Sequence, residues 1–341
     1  MSDRPLIVCA PEPRTLSILF TLQQYEVLSH HYELLECDAT EVASLPDETL
    51  ARVSYIIGQP PLDSAALARL SQLRCIFNVE SNLMDNMPYE VLFERGIHVV
   101  TTGAVFAQPV AELGLAMALN LARGIVDAEL DFRQGHERWG GDGNAGARCL
   151  SGSEIGLIGF GDLGRALNQV LSGFNSTLRV FDPWLPASLL KEHGVIPADL
   201  NTVLSSSDFI FVVAAVTSEN QRFLGAEAFA QMRQGASLIL LSRADVVDFE
   251  ALLDAVRRGH ITAASDVFPQ EPLALDHPVR GQAGFLCSAH RAGALDSAFF
   301  EMGDRVIEDL DLLERGLPPL RCKRAERETV SRMRSRPVTH N

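Results

Sequence analysis

The 341-residue chain has no paired cysteines: Cys9, Cys37, Cys75, Cys149, Cys287 and Cys322 are scattered without CxxC spacing. This argues against a zinc site or a disulfide framework and for a reducing, cytoplasmic setting. Positive charge is also short. With 29 Lys and Arg against 44 Asp and Glu, the formal net charge of -15 weighs against non-specific nucleic-acid binding. No stretch approaches the ~18 uninterrupted apolar residues of a membrane span. The start, "MSDRPLIVCAPEPRT", has no basic-then-apolar leader. Neither an internal repeat nor a low-complexity segment occurs.

What remains is a globular composition, 47% apolar and 21% charged, in a chain long enough for two domains. One segment departs from the acidic balance. The tail, 321–341, holds seven Lys or Arg against two Glu. It reads first as a solvated terminus, with packing on an acidic neighbouring subunit as the alternative.

Apolar β-rich runs alternate with helical patterns, which predicts an α/β fold with mostly parallel sheets. "LIVCA", "YELLEC", "VSYIIG", "RCIFNV" and "IHVVTT" make one doubly wound unit within the first hundred residues. The spacing over 107–135 predicts a single long helix. A second series follows: "EIGLIGF", "STLRVFD", "DFIFVVAAV", "ASLILLS", "HITAASDVF" and "GFLCSA". A last helical pattern runs over 294–313 and stops at Gly316 with Pro318 and Pro319.

"IGLIGFGDLGRAL" places Gly159, Gly161 and Gly164 as G-x-G-x-x-G between a strand and a helix. Gly159 permits a tight turn, Gly161 lets a pyrophosphate approach the backbone, and Gly164 lets helix and strand close up. Asp162 and Leu163 begin that helix, whose free N–H groups suit phosphates. Asp182 ends the next strand, where an acid accepts from the adenosine ribose hydroxyls. Its charge repels a 2′-phosphate, so NAD is the expected cofactor. Two roles fit Arg165, a phosphate contact or a solvated helix face.

Three more strand ends carry one functional group each. Arg243 follows "ASLILLS", Glu271 lies beyond Asp266 in "SDVFPQEP", and His290 stands in "CSAHRAGA". Alone, each has a bland reading: a surface ion pair, a solvated loop acid, a structural histidine. In this order on one sheet they suit exchange between a 2-keto and a 2-hydroxy acid. His290 moves the proton, Glu271 sets its tautomer, and Arg243 holds carboxylate and carbonyl.

With "VAELGLAMALNLAR", "FRQGHERWG", "GLIGFGDLGRAL", "VFDPWLP", "SRADVVD", "DVFPQEPL" and "SAHRAGA" in this order, the chain resembles the D-isomer-specific 2-hydroxyacid dehydrogenases. The resemblance implies a homodimer of two-lobed subunits. A flavodoxin-like substrate domain would span 1–104 and return at 298–320. A Rossmann NAD-binding domain would span 105–297, with 321–341 as a basic tail. It also implies that Arg243, Glu271 and His290 are catalytic and that Asp266 pairs with the nicotinamide amide.

Two stretches depart from the family pattern. Where the substrate loop usually reads G-x-G-x-D-N, this chain has "SNLMDN". Ser81, Asn82 and Leu83 are still expected to bind substrate, with Asn82 and Leu83 as backbone donors. Leu83 must then avoid positive φ, and the side chains of this loop are expected to narrow or reshape the pocket. Phosphite-oxidising relatives carry lysine at the Asn82 position, and formate dehydrogenases pair their histidine with glutamine, so neither substrate is expected. The second departure is "VAAVTSENQRFLG", where Ala214 and Ala215 make the cofactor wall smaller. Thr217, in the same stretch, is expected to bind cofactor. Gln59 either faces the crevice or shapes a turn beside Pro60. A dinucleotide-sensing regulatory or scaffold protein on the same fold is the competing reading.

Overall fold

The computed structural model describes residues 4–80 and 82–332, which form two compact units. One runs to Phe106 and takes in Thr217–Glu219 and the chain from Ala294; the other holds Ala107–Val216 and Asn220–Gly293.

The first unit is built on β1 (Leu6–Ala10), β2 (Glu33–Glu36), β3 (Val53–Gly58), β4 (Cys75–Asn78) and β5 (His98–Thr101). These are parallel and ordered β5-β4-β3-β1-β2, the flavodoxin-like arrangement. The inner strands β1, β3 and β4 are buried along their whole length because both faces are covered, whereas the edge strand β2 begins and ends on glutamate and is only partly buried. In β1, Leu6, Val8 and Ala10 face one apolar cluster while Ile7 and Cys9 face the other. All six cysteines are free, and burial pushes the Cys9 thiol up to about 12.

The second unit carries β6 (Glu154–Ile158), β7 (Thr177–Phe181), β8 (Ile196–Pro197), β9 (Phe209–Val212), β10 (Ser237–Leu240), β11 (Thr262–Ser265) and β12 (Phe285–Cys287). All are parallel, in the order β12-β11-β10-β9-β6-β7-β8. The winding reverses between β6 and β9, which opens the ligand crevice of a Rossmann sheet at their carboxyl ends. The two-residue edge strand β8 has no counterpart in the sequence reading, because so short a run has no alternation to detect.

The expected single helix over 107–135 is two helices, Ala107–Arg123 and Ile125–Gln134. Gly124 between them sits at φ 61, and Asn120 accepts Gly124 N–H and, through its side chain, Val126 N–H. A left-handed glycine stops the first helix even though apolar spacing continues across it. The segment Gly103–Arg123 is long and apolar enough to cross a membrane by length and composition. Its Val110, Ala111, Gly114, Met117, Ala118 and Ala122 are nevertheless buried. A Cβ on Gly114 would come 2.5 Å from Leu241 Cδ1, so glycine there lets the helix close on the strand leading to Arg243.

Residues 321–332 also differ from the reading of the tail as a solvated terminus, the rest of which lies outside the described residues. Asp309, fully buried in the helix Asp296–Glu314, accepts N–H groups of Leu320, Arg321 and Cys322, each at 2.8 Å. That grip delivers β13 (Lys323–Arg324), which pairs antiparallel with β5. The helix Arg327–Val330 follows, with the Arg327 guanidinium 5.5 Å from the Phe93 ring. Basic side chains can stay in water while their backbone pairs, so charge alone misread this segment. Asp309→Ala is expected to destabilise the protein by about 3 kcal/mol through three stranded donors, read as a lower urea midpoint.

Candidate active site

β6 runs straight into the glycine turn. Gly159 has φ 95, and a Cβ there would fall 2.7 Å from both N and Cα of Ala214. A Cβ on Gly164 would fall 2.7 Å from Gly159 O. Both positions therefore exclude a side chain by contact. Gly161 is the opposite case, with nothing beyond its own chain neighbours within 4 Å of where its Cβ would stand. It caps the helix Asp162–Leu171 without offering a side-chain acceptor to the first-turn N–H groups. Open space beside an uncapped helix start fits a pyrophosphate. Asp162 and Leu163 lie half-buried in that first turn, and Arg165 is exposed.

Asp182 follows β7 and reaches back to the turn. Its Oδ2 accepts Phe160 N–H at 2.8 Å and its Oδ1 accepts Trp184 N–H at 2.9 Å. The carboxylate thus holds the glycine turn against the end of β7. Thr217 is buried, and its hydroxyl accepts Glu219 N–H at 3.2 Å. It groups with the first unit, not with the glycine turn.

Glu271 and His290 meet: Nδ1 and Oε2 are 2.6 Å apart. The other carboxylate oxygen of Glu271 accepts Phe268 N–H at 2.8 Å. Burial pushes the Glu271 carboxyl up, but the bonds from His290 and Phe268 and the charges of His290 and Arg243 outweigh it, leaving it below the usual range. Arg243, half-buried beyond β10, is therefore close enough for its charge to act on Glu271; its Nη1 also donates to Ser242 O at 2.8 Å. With Nδ1 occupied by Glu271, Nε2 is the ring nitrogen left for proton exchange.

The His290 backbone is held as firmly as its ring. It sits at φ 48, unusual for a side-chain-bearing residue, and its N–H donates to Asp266 O at 2.7 Å. The Asp266 carboxylate, 1% exposed, accepts Arg291 N–H and Ala292 N–H, both at 3.0 Å. Both carboxylate oxygens of Asp266, expected at the nicotinamide amide, thus also bind the histidine loop.

The substrate-loop residues belong to the first unit. Ser81 lies outside the described residues. Leu83 is 4% exposed and joins the apolar cluster that includes Leu62, Met87 and Tyr89. Its side chain packs in the core of its own lobe, so narrowing by Leu83 is not seen there. It also keeps out of positive φ. Gln59, left between two roles by the sequence, is buried and spends its amide on the loop. Arg14 was missed altogether. Its Nε donates to Val79 O at 3.1 Å and its Nη2 to Glu80 at 3.2 Å, with the guanidinium 4.8 Å from the Phe299 ring. Asn78, at the end of an apolar strand, was also missed; a buried amide there was the available signal.

Residues 115–292 match the family "D-isomer specific 2-hydroxyacid dehydrogenase, NAD binding domain". A glyoxylate reductase of Korarchaeum cryptofilum is 29% identical over 263 residues, 76% of this chain and 79% of its own. A glyoxylate/hydroxypyruvate reductase B of Shigella flexneri is 28% identical over 280 residues, 79% and 86% of the two chains. Among solved structures, a phosphoglycerate oxidoreductase from Rhizobium etli superposes with a TM-score of 0.88 at 66% identity, covering 95% of this chain and 99% of that one.

The depressed Glu271 carboxyl has a consequence for acid stability. Its bonds stabilise the fold above the ordinary carboxylate range, and that contribution is lost as pH falls through the depressed value. Between about pH 6 and about pH 3, wild type should lose more stability than Glu271→Gln, measured as urea midpoints at each pH.

Proposed function

The chain belongs to the D-isomer specific 2-hydroxyacid dehydrogenases, and on that premise we propose that it interconverts a short 2-oxo acid and the D-2-hydroxy acid, using NAD in preference to NADP. It is an oxidoreductase that uses a nicotinamide dinucleotide. The observation that carries the reading is the 2.6 Å Glu271–His290 bond with the charge of Arg243 acting on the same carboxylate.

The dinucleotide, when bound, supplies or accepts the hydride at C2 of the substrate. His290 gives the proton to the C2 oxygen during reduction and takes it back during oxidation. Glu271 accepts the Nδ1 proton and so fixes the tautomer and the orientation of the ring before transfer. Arg243 holds carboxylate and C2 oxygen through its planar fork, which aligns the carbon for attack. The N–H groups of Asn82 and Leu83 donate to the carboxylate, and Asp182 accepts from the adenosine ribose. The carboxylate common to glyoxylate, hydroxypyruvate and phosphoglycerate, which the relatives' names carry, fits these donors. A sensor role is not favoured, since these relatives are reductases and an oxidoreductase.

A homodimer belongs to the same reading. No residue of the helix Ile125–Gln134 is buried, and Ile125, Leu130 and Phe132, with Trp139 beyond, are exposed large apolar side chains of the kind a second copy would cover. Free thiols suit a cytoplasmic setting, with neither membrane nor nucleic acid as partner.

NADH oxidation should be measured with glyoxylate, hydroxypyruvate and phosphohydroxypyruvate. His290→Ala should lower kcat by about 10²–10⁴ while leaving NADH binding unchanged. Wild type that binds NADH and turns over none of the three would overturn the reading. Asp182→Ala should weaken both cofactors, because it also releases the glycine turn, but raise the NADP-to-NAD ratio of kcat/KM by about tenfold. An unchanged ratio would remove Asp182 from ribose recognition.

A further inference from the structure

Resting on the role proposed above for Asn82 and Leu83, we infer that Gln59, Asn78 and Tyr89 are positioning residues that aim the substrate-binding backbone where loop glycines are absent. Glycine can orient a backbone donor by adopting torsions closed to other residues. Leu83 does not do so here, and its φ is not positive. Some other constraint must orient the peptide.

A chain of buried amides supplies it. Asn78 Nδ2 donates to Asn82 O at 2.8 Å and also to Gln59 Oε1, while Asn78 Oδ1 accepts Glu80 N–H at 2.7 Å. Gln59 Nε2 lies 2.9 Å from each of Met84 O, Asn86 Oδ1 and Tyr89 Oη. Tyr89 Oη donates to Met84 O at 2.7 Å, and Asn86 Nδ2 to Gln59 O at 2.8 Å. Gln59 is 6% exposed and Asn78 1%, so both side chains are desolvated and depend on these bonds.

The consequence for Leu83 follows from peptide planarity. In a trans peptide the C=O and the following N–H point in opposite directions. Asn78 draws the Asn82 carbonyl inward, so Leu83 N–H points away from the buried network. The Leu83 side chain packs inward as well, which removes the freedom to swing that donor back. Neither Asn82 N–H nor Leu83 N–H meets an acceptor among the described residues. The amide network therefore presents a backbone donor, with a bulky residue doing what a glycine turn does elsewhere.

Asn78→Asp tests this. The carboxylate still accepts Glu80 N–H but donates neither to Asn82 O nor to Gln59. With whichever 2-oxo acid wild type turns over, KM should rise by about tenfold, with kcat within about twofold and NADH affinity unchanged. Tyr89→Phe, which keeps the ring and loses one donor to Met84 O, should raise KM by about threefold and leave kcat unchanged. Unchanged KM in both variants, with wild type active, overturns the inference alone. A fall in kcat and thermal stability together, without the KM split, makes the network merely structural and also overturns it. If Asn78→Asp does not fold, Tyr89→Phe decides by the same KM criterion. Wild type inactive on every oxo acid defeats the dehydrogenase reading, and this inference with it.

Discussion

Where a parallel strand ends, its last N–H and C=O groups lose their ladder partners just as the chain must turn. Most of what is distinctive in this protein answers that constraint with a polar side chain placed at the strand end. Asp182, one residue past β7, takes Phe160 N–H. Asp266, one residue past β11, takes Arg291 and Ala292 N–H. Asn78, the last residue of β4, takes Glu80 N–H and gives to Asn82 O. The ends so held are next to the glycine turn, the histidine loop and the loop after β4. Scaffold and site thus share one requirement.

Magnitudes show why the histidine stays put. A left-handed conformation costs a side-chain-bearing residue about 1–2 kcal/mol. Two hydrogen bonds to the buried Asp266 carboxylate, at about 1.5–3 kcal/mol each, exceed that cost. The Glu271 bond then orients a ring whose backbone is already placed. In the cofactor lobe, by contrast, glycine is retained where a Cβ would strike backbone, at Gly159 and Gly164. In the first lobe Leu83 stands in the loop after β4, and an amide network holds the Asn82 carbonyl before it.

Much was readable in the linear chain. Five of the six strands of the first lobe, all but β13, and six of the seven in the second were visible as apolar-rich runs, because strands covered on both faces need little polar alternation. The glycine spacing and the order Arg243, Glu271, His290 were legible because each depends on local turn chemistry and on which strand end bears a functional group. The break at Gly124 was not, since apolar periodicity persists through it and only the backbone conformation changes. Charge concealed the fate of 321–332, whose backbone pairs while its side chains remain in water.

By itself, then, the sequence determined the fold class, the cofactor class and the identity of the charged groups at the strand ends, all of which follow from short-range spacing. Only the tertiary structure decided which way those groups are spent. It turned Leu83 into its own core, gave Asp266 to the histidine loop, and made Gln59 and Asn78 one network across two strands. The reason is physical: a buried polar group is assigned by whichever partners folding brings within about 3 Å, and these partners lie far apart along the chain.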